Sequence, residues 1–148
     1  MPVNPRIAAY LGRALNHEMN AVQQYLTQAQ LCELWGLQDR AQQLRRDAGE
    51  ELDHAGRLIS RMLTLGLLPN GTQLSPARPG RDPHEMLELD RHLEAEAVRL
   101  YDEAARYCER NRDPASAQLF LELLQDEQEH LACLERLLAN SQPQTGRF

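Results

Sequence analysis

The sequence predicts an all-α protein: a four-helix bundle in two antiparallel pairs, with one long crossover between the second and third helices. Three observations carry that prediction. Four long segments rich in Leu, Ala, Glu, Gln and Arg, all good helix formers, repeat apolar residues at spacings of three and four. Proline falls outside these segments or at their first residues, five of the eight glycines lie between or beyond them (Gly12, Gly49 and Gly56 do not), and no stretch shows the two-residue alternation of a strand. The first and third connections are short, whereas the middle one is long.

The first helix is predicted from about Pro5 to Leu34, with Leu11, Leu15, Val22, Tyr25 and Ala29 on its apolar stripe. It ends at the short WGLQD turn, which folds the second helix, about Gln38 to Leu65, back antiparallel. That helix buries Leu44, Ala48, Ala55, Leu58 and Met62. The segment GLLPNGTQLSPARPGRD follows. At about 3.3 Å per residue its roughly 17 residues reach about 55 Å, against about 40 Å for a helix of about 27 residues. The segment therefore crosses the whole bundle and sets helices two and three parallel. Helix three, about Pro83 to Arg110, starts with Asp82 as N-cap and proline at the first helical position. Asp113 and Pro114 repeat that device at the start of helix four, about Pro114 to Ala139. Residues 140–148 form a tail, and residues 1–148 make one domain.

The 148 residues suffice for one core. No apolar run approaches the roughly 20 residues of a membrane span, and the N-terminus lacks the shape of a secretory signal. A cytoplasmic protein is expected. Cys32, Cys108 and Cys133 are odd in number and widely spaced, which argues against a disulfide framework or a zinc ribbon and for small buried residues. The net charge is −6, and all 16 cations are arginines with no basic block, so DNA binding has no electrostatic support.

The stripes contain residues that do not belong in a core. Glu18 replaces an apolar residue in helix one, Glu51 and His54 do so in helix two, Glu94 in helix three, and Glu127 and His130 in helix four. Each glutamate lies roughly eleven to thirteen residues inside its helix, so at 1.5 Å per residue all four reach the same level of the bundle. An unpaired carboxylate in a low-dielectric core is very expensive, and four would also repel one another. Two divalent cations balance four glutamates while both histidines stay neutral. Oxygen-rich ligation with two imidazoles suits iron or manganese. One glutamate from each of two helices, plus Glu-x-x-His from each of the other two, is the pattern of di-iron and di-manganese carboxylate proteins. Glu88, Glu96, Glu103 and Glu122 lie off these stripes and are expected to face water or a partner.

With Glu18, the EELDH box at Glu50–His54, Glu94 and DEQEH at Asp126–His130, the chain resembles the bacterioferritins of the ferritin superfamily from about residue 5 to residue 139. Tyr25 and Trp35 also match. The resemblance implies a ferritin-like fold and ferroxidase activity: Fe(II) is oxidised by O2 or H2O2 and stored as Fe(III) inside an oligomeric shell, of 24 subunits in the family and built on two-fold dimers. It implies two irons per subunit, one held by Glu18 and His54, the other by Glu94 and His130, with Glu51 and Glu127 bridging. Tyr25 would be a hydrogen-bond or electron donor, and Asp90 and Asp126 would orient the histidines.

The chain departs from the family pattern in three places. Leu52 stands where a methionine ligates haem across the dimer, and leucine has no sulfur lone pair, so haem is not expected in a homodimer. A mixed oligomer with a methionine-bearing sister subunit is the alternative. The SQPQTGRF ending implies a short or absent fifth helix. Arg46 and Glu50 replace inner-surface iron ligands, and Arg46 repels cations. Rival readings are a rubrerythrin-like or manganese-catalase-like redox enzyme and a haem-less partner subunit of a mixed shell. A DNA-protecting mini-ferritin is disfavoured, because there the ligands are split between subunits.

Overall fold

The computed structural model describes residues 2–70 and 73–141. Its elements are α1 (Pro5–Leu34), α2 (Gln38–Thr64), α3 (Pro83–Arg110) and α4 (Pro114–Ala139). The expected short or absent fifth helix falls on residues 142–148, outside the described residues. Among the described residues no helix is long and apolar enough to cross a membrane.

Side-chain caps define three of the helix starts. Asn4 Oδ1 accepts from the Arg6 and Ile7 amides at 2.8 and 3.3 Å. Asp82 accepts from Glu85 N at 2.9 Å and Asp113 from Ser116 N at 3.0 Å, each with proline next in the chain. These bonds satisfy amides that the helix itself leaves unpaired. The α1–α2 turn closes with Leu37 N donating to Cys32 O at 2.8 Å around Gly36, whose φ of 79° is the left-handed conformation that ends a helix most easily at glycine. After α3 the same role falls to Arg112, at φ 62°, without glycine's freedom.

α1 packs along α2 and α3 along α4, and the two hairpins meet through α1 with α3 and α2 with α4. Contacts at the helix ends give the directions. Asn4 at the start of α1 donates to the Tyr107 hydroxyl near the end of α3 (3.1 Å), and Arg61 near the end of α2 pairs with Asp113 at the start of α4 (2.9 Å). α1 thus runs against α3 and α2 against α4, as the long crossover requires.

The core is in two parts. One apolar cluster gathers Tyr10, Leu11, Leu58, Leu100 and Phe120; the other gathers Ala29, Cys32, Leu44 and Met86. Between them lies a buried polar layer. The last buried position of α4 is Leu134, and Leu137 beyond it is exposed. One sequence expectation fails at the periphery. Cys133, expected to be buried with Cys32 and Cys108, is exposed because it sits one position off the α4 stripe.

Candidate metal centre

Glu18, Glu51, His54, Glu94 and Glu127 are all at most 4% exposed, and the His130 side chain is 11% exposed. Their helices place them at one level, and their ligand-type atoms form two overlapping sets. Glu18, Glu51, His54 and Glu127 make one; Glu51, Glu94, Glu127 and His130 make the other. Within each set the atoms lie within 4.8 Å of one another. Glu51 and Glu127 belong to both.

Each of the six residues contributes one buried atom with no hydrogen-bond partner: Oε2 of each glutamate and Nδ1 of each histidine. His54 Nδ1 lies 3.2 Å from Glu127 Oε1 and 3.5 Å from Glu18 Oε2, and His130 Nδ1 lies 3.3 Å from Glu94 Oε1. The other ring nitrogens are held from outside the cluster. His54 Nε2 bonds Asp126 Oδ2 at 2.9 Å, and His130 Nε2 faces Asp47 Oδ2 at 3.4 Å. In the neutral imidazole, a proton held at Nε2 by a carboxylate leaves Nδ1 as a lone pair aimed at the cluster.

The crowding of carboxylates in a buried layer shifts the titration of the cluster. Burial, and then the charges of Glu94 and Glu18, lift Glu51 well above the usual carboxylate range. Burial would lower His130, but hydrogen bonds to Asp47 and Glu94 outweigh it and raise the ring to about 10. Burial would likewise lower His54, yet Glu18 and Asp126 outweigh it and the ring is raised. For Glu18 the burial effect is overcome by His54, Glu51 and Tyr101, and its pKa falls. Protons and imidazolium charge thus do, imperfectly, what cations would do.

Tyr25, from α1, donates its hydroxyl to Glu94 Oε1 and packs its ring 5.7 Å from that of His130. Tyr101, from α3, does the same for Glu18 Oε1. Burial first, then the facing carboxylates, raise both phenols well above their ordinary value, so both remain donors at neutral pH. In the sequence Tyr101 falls on the face of helix three that carries Leu87, Glu94 and Val98, where its position alone gives it no role beyond packing. Its spacing from Glu94, equal to that of Tyr25 from Glu18, was the available signal.

One expectation is corrected. Asp90 does not orient a histidine. It lies one turn before Glu94 on α3 and faces Arg40 of α2, Nη2 to Oδ2 3.8 Å. The carboxylate facing His130 is Asp47, because α4 lies beside α2 and the outer edge of the ring points at that helix. Asp47 precedes Glu51 by one turn on the same stripe. The histidine side opens to a surface cleft lined by Arg46, Asp47, Glu50, Asp126, Glu129 and Cys133. Glu88, Glu96, Glu103 and Glu122 are exposed.

A four-helix bundle with four glutamates and two histidines at its centre defines the ferritin-like class with a candidate two-metal carboxylate site. The ferritin-like domain family matches residues 8–142. Bacterioferritin from Rhodobacter capsulatus is 38% identical over 91% of this chain and 84% of its own length. That from Brucella melitensis is 37% identical over 93% and 86%. A solved structure of the Rhodobacter capsulatus protein, described with a metal-free dinuclear site and a haem iron in a crystallographic special position, superposes with a TM-score of 0.90. It covers 94% of this chain and 87% of its own, at 37% identity. The chain belongs to the bacterioferritins.

Proposed function

We propose that this chain is an iron-storage subunit whose buried cluster is a ferroxidase centre, with Fe(II) as its substrate. The observation that carries the reading is the set of six unpartnered atoms, one from each of Glu18, Glu51, His54, Glu94, Glu127 and His130, aimed at one buried volume. Two irons would be held by Glu18 with His54 and by Glu94 with His130, sharing Glu51 and Glu127. Four carboxylates balance two divalent ions, and the oxygen-rich donor set suits iron. Bound there, the two irons supply electrons to O2 or H2O2.

The protein's own part is positioning. Tyr101 and Tyr25 hold one oxygen each of Glu18 and Glu94, leaving the other free. Asp126 and Asp47 fix the histidine rings. The cleft beside the histidines is the side on which the cluster comes nearest the surface.

Haem does not fit this chain by itself. Leu52 is 56% exposed on the outer face of α2, and the shallow groove around it is lined by Gly49, Asp53, Gly56, Arg57 and Ser60, none of which carries a sulfur or imidazole ligand. A homodimer is expected to be haem-free. Self-association into a shell, by family membership of 24 subunits, in the cytoplasm, completes the proposal; a methionine-bearing sister subunit would restore one haem ligand per mixed dimer. The matches to bacterioferritins over nine-tenths of the chain favour storage over a rubrerythrin-like or manganese-catalase-like redox enzyme.

The test is aerobic addition of Fe(II) to the purified chain while Fe(III) absorbance and particle mass are recorded together. Rapid oxidation of many irons per chain by a large particle is expected. A discrete dimer that stops after about two irons would sink the storage claim, and unchanged rates in both Glu94→Ala and His130→Ala would sink the site.

A further inference from the structure

Behind Glu94 lies a second buried polar group that the metal centre does not use. Asp90 is 0% exposed, and neither of its carboxylate oxygens has a hydrogen-bond partner. Gln28 Oε1 of α1 and Arg40 Nη2 of α2 are also buried and unpartnered. Four such atoms gathered in one place call for a shared partner. The Arg40–Asp90 separation of 3.8 Å is too long for a direct hydrogen bond and suits a bridging water. Buried waters sit where roughly three polar partners converge, as they do here.

The group lies between the metal centre and the outside. The crossover closes it: Gln24 Nε2 donates to Arg78 O at 2.7 Å, its Oε1 accepts from Arg78 N at 2.8 Å, and Gln28 Nε2 donates to Pro79 O at 3.2 Å. Gly80, at φ 95°, lets this segment press on α3 so closely that a Cβ would meet Met86 N at 2.8 Å. Beyond Gln24 a cleft of about 260 Å³ opens between the crossover and α3. Arg40 reaches solvent directly, its side chain 20% exposed. On the inner side, Tyr25 bonds Glu94 and responds to the Asp90 charge.

We propose that Asp90, Gln28 and Arg40 hold a small cluster of ordered waters behind the metal centre, and that this cluster conducts to solvent the protons released as iron is oxidised. The inference rests on the ferroxidase reading for its proton source. Four ferrous ions give one electron each to one dioxygen and, with six waters, yield four units of ferric oxyhydroxide and eight protons. These protons leave a site whose own carboxylates are needed as ligands. Asp90 is suited to pass them on. Both its oxygens lie free of hydrogen bonds within the cluster, where a carboxyl can take up a proton from one water and hand it to another, and in the absence of metal burial lifts its pKa to about 7 against the opposing pull of Gln28 and Arg40. The charged and titratable groups facing it are Tyr25 and Cys32 of α1, Arg40 of α2 and Glu94 of its own helix.

Three measurements test this, two of them without iron. Infrared difference spectra between the metal-free protein and Asp90→Asn isolate the Asp90 carboxyl band. That band should titrate near neutral pH and shift within the mixing time on transfer to D2O. A band that resists exchange means a dry pocket and overturns the proposal. In stopped flow with a pH-indicator dye, Asp90→Asn should oxidise iron roughly tenfold more slowly, with proton appearance slowed to match. The rise in wild-type rate as pH passes through neutrality should be lost in that variant. Cobalt(II) titration should show both metal positions still filled, which separates lost conduction from a lost site. Arg40→Gln, at the partly exposed mouth, is the second variant and should show a smaller slowing. Wild-type rates and pH profiles in both variants would overturn the proposal. A wild-type chain that oxidises no iron would sink the ferroxidase reading and proton conduction together, with hydration still decided by the infrared result.

Discussion

Asp90→Asn should also change how the stability of the metal-free protein depends on pH. The substitution keeps the size and shape of the side chain and removes its ability to ionise. In the unfolded chain an aspartate titrates near 3.8, whereas buried Asp90 titrates at about 7. Between those values the folded state holds a proton that the unfolded state has lost. Stability therefore falls as pH rises through the interval and levels off above about pH 7. Each pH unit is worth about 1.4 kcal/mol, so the full effect is about 4 kcal/mol, of which roughly 2.5 kcal/mol falls between about pH 5 and about pH 8. The asparagine variant lacks this loss. Urea unfolding of both proteins, stripped with chelator, should show the variant gaining roughly 2.5 kcal/mol on the wild type across that range. Parallel stability curves would refute the assignment of a buried, upshifted Asp90. A difference of opposite sign would mean that the Arg40 pairing dominates burial.

The remaining predictions concern the groups around the candidate metal centre. Asp47→Asn should lower affinity for the metal beside His130 by about 10–100-fold, read by calorimetric titration, with the His54 side little changed; equal loss at both would refute separate support. Tyr101→Phe keeps the ring that packs 5.9 Å from Phe120 but removes the bond to Glu18. It should slow iron oxidation while shifting stability by only about 1 kcal/mol, and wild-type kinetics would show that the hydroxyl has no part in holding Glu18. Protein expressed without any sister subunit should show no strong haem absorbance band. Such a band would show that Leu52 had been misjudged.

Much of this molecule is legible in its sequence because its signals are local. Asp82-Pro83 and Asp113-Pro114 mark helix starts by capping chemistry, and Gly36 marks a turn by its left-handed φ. The six central residues stand out because charge on an apolar stripe has few innocent explanations. What escaped depends on direction around a helix and on the neighbour met there. Tyr101 reads as an ordinary stripe residue until its hydroxyl meets Glu18 from another helix. Asp47 and Asp90 sit one turn before Glu51 and Glu94 respectively, and spacing alone cannot tell which of them faces a histidine. The packing of α2 beside α4 decides it.

The six central residues are shared out evenly between the two helical hairpins. Glu18, Glu51 and His54 come from α1 and α2; Glu94, Glu127 and His130 come from α3 and α4. Each candidate metal position also draws on both, through Glu127 for one and Glu51 for the other. Each hairpin assembles from contacts close in sequence and is expected to form early, while the seam between them has carboxylates facing carboxylates. Cargo would then act as a rivet: the same ions that are oxidised draw the seam shut. Amide exchange along the facing sides of α1 and α3 should slow when metal is added, while exchange inside each hairpin changes little.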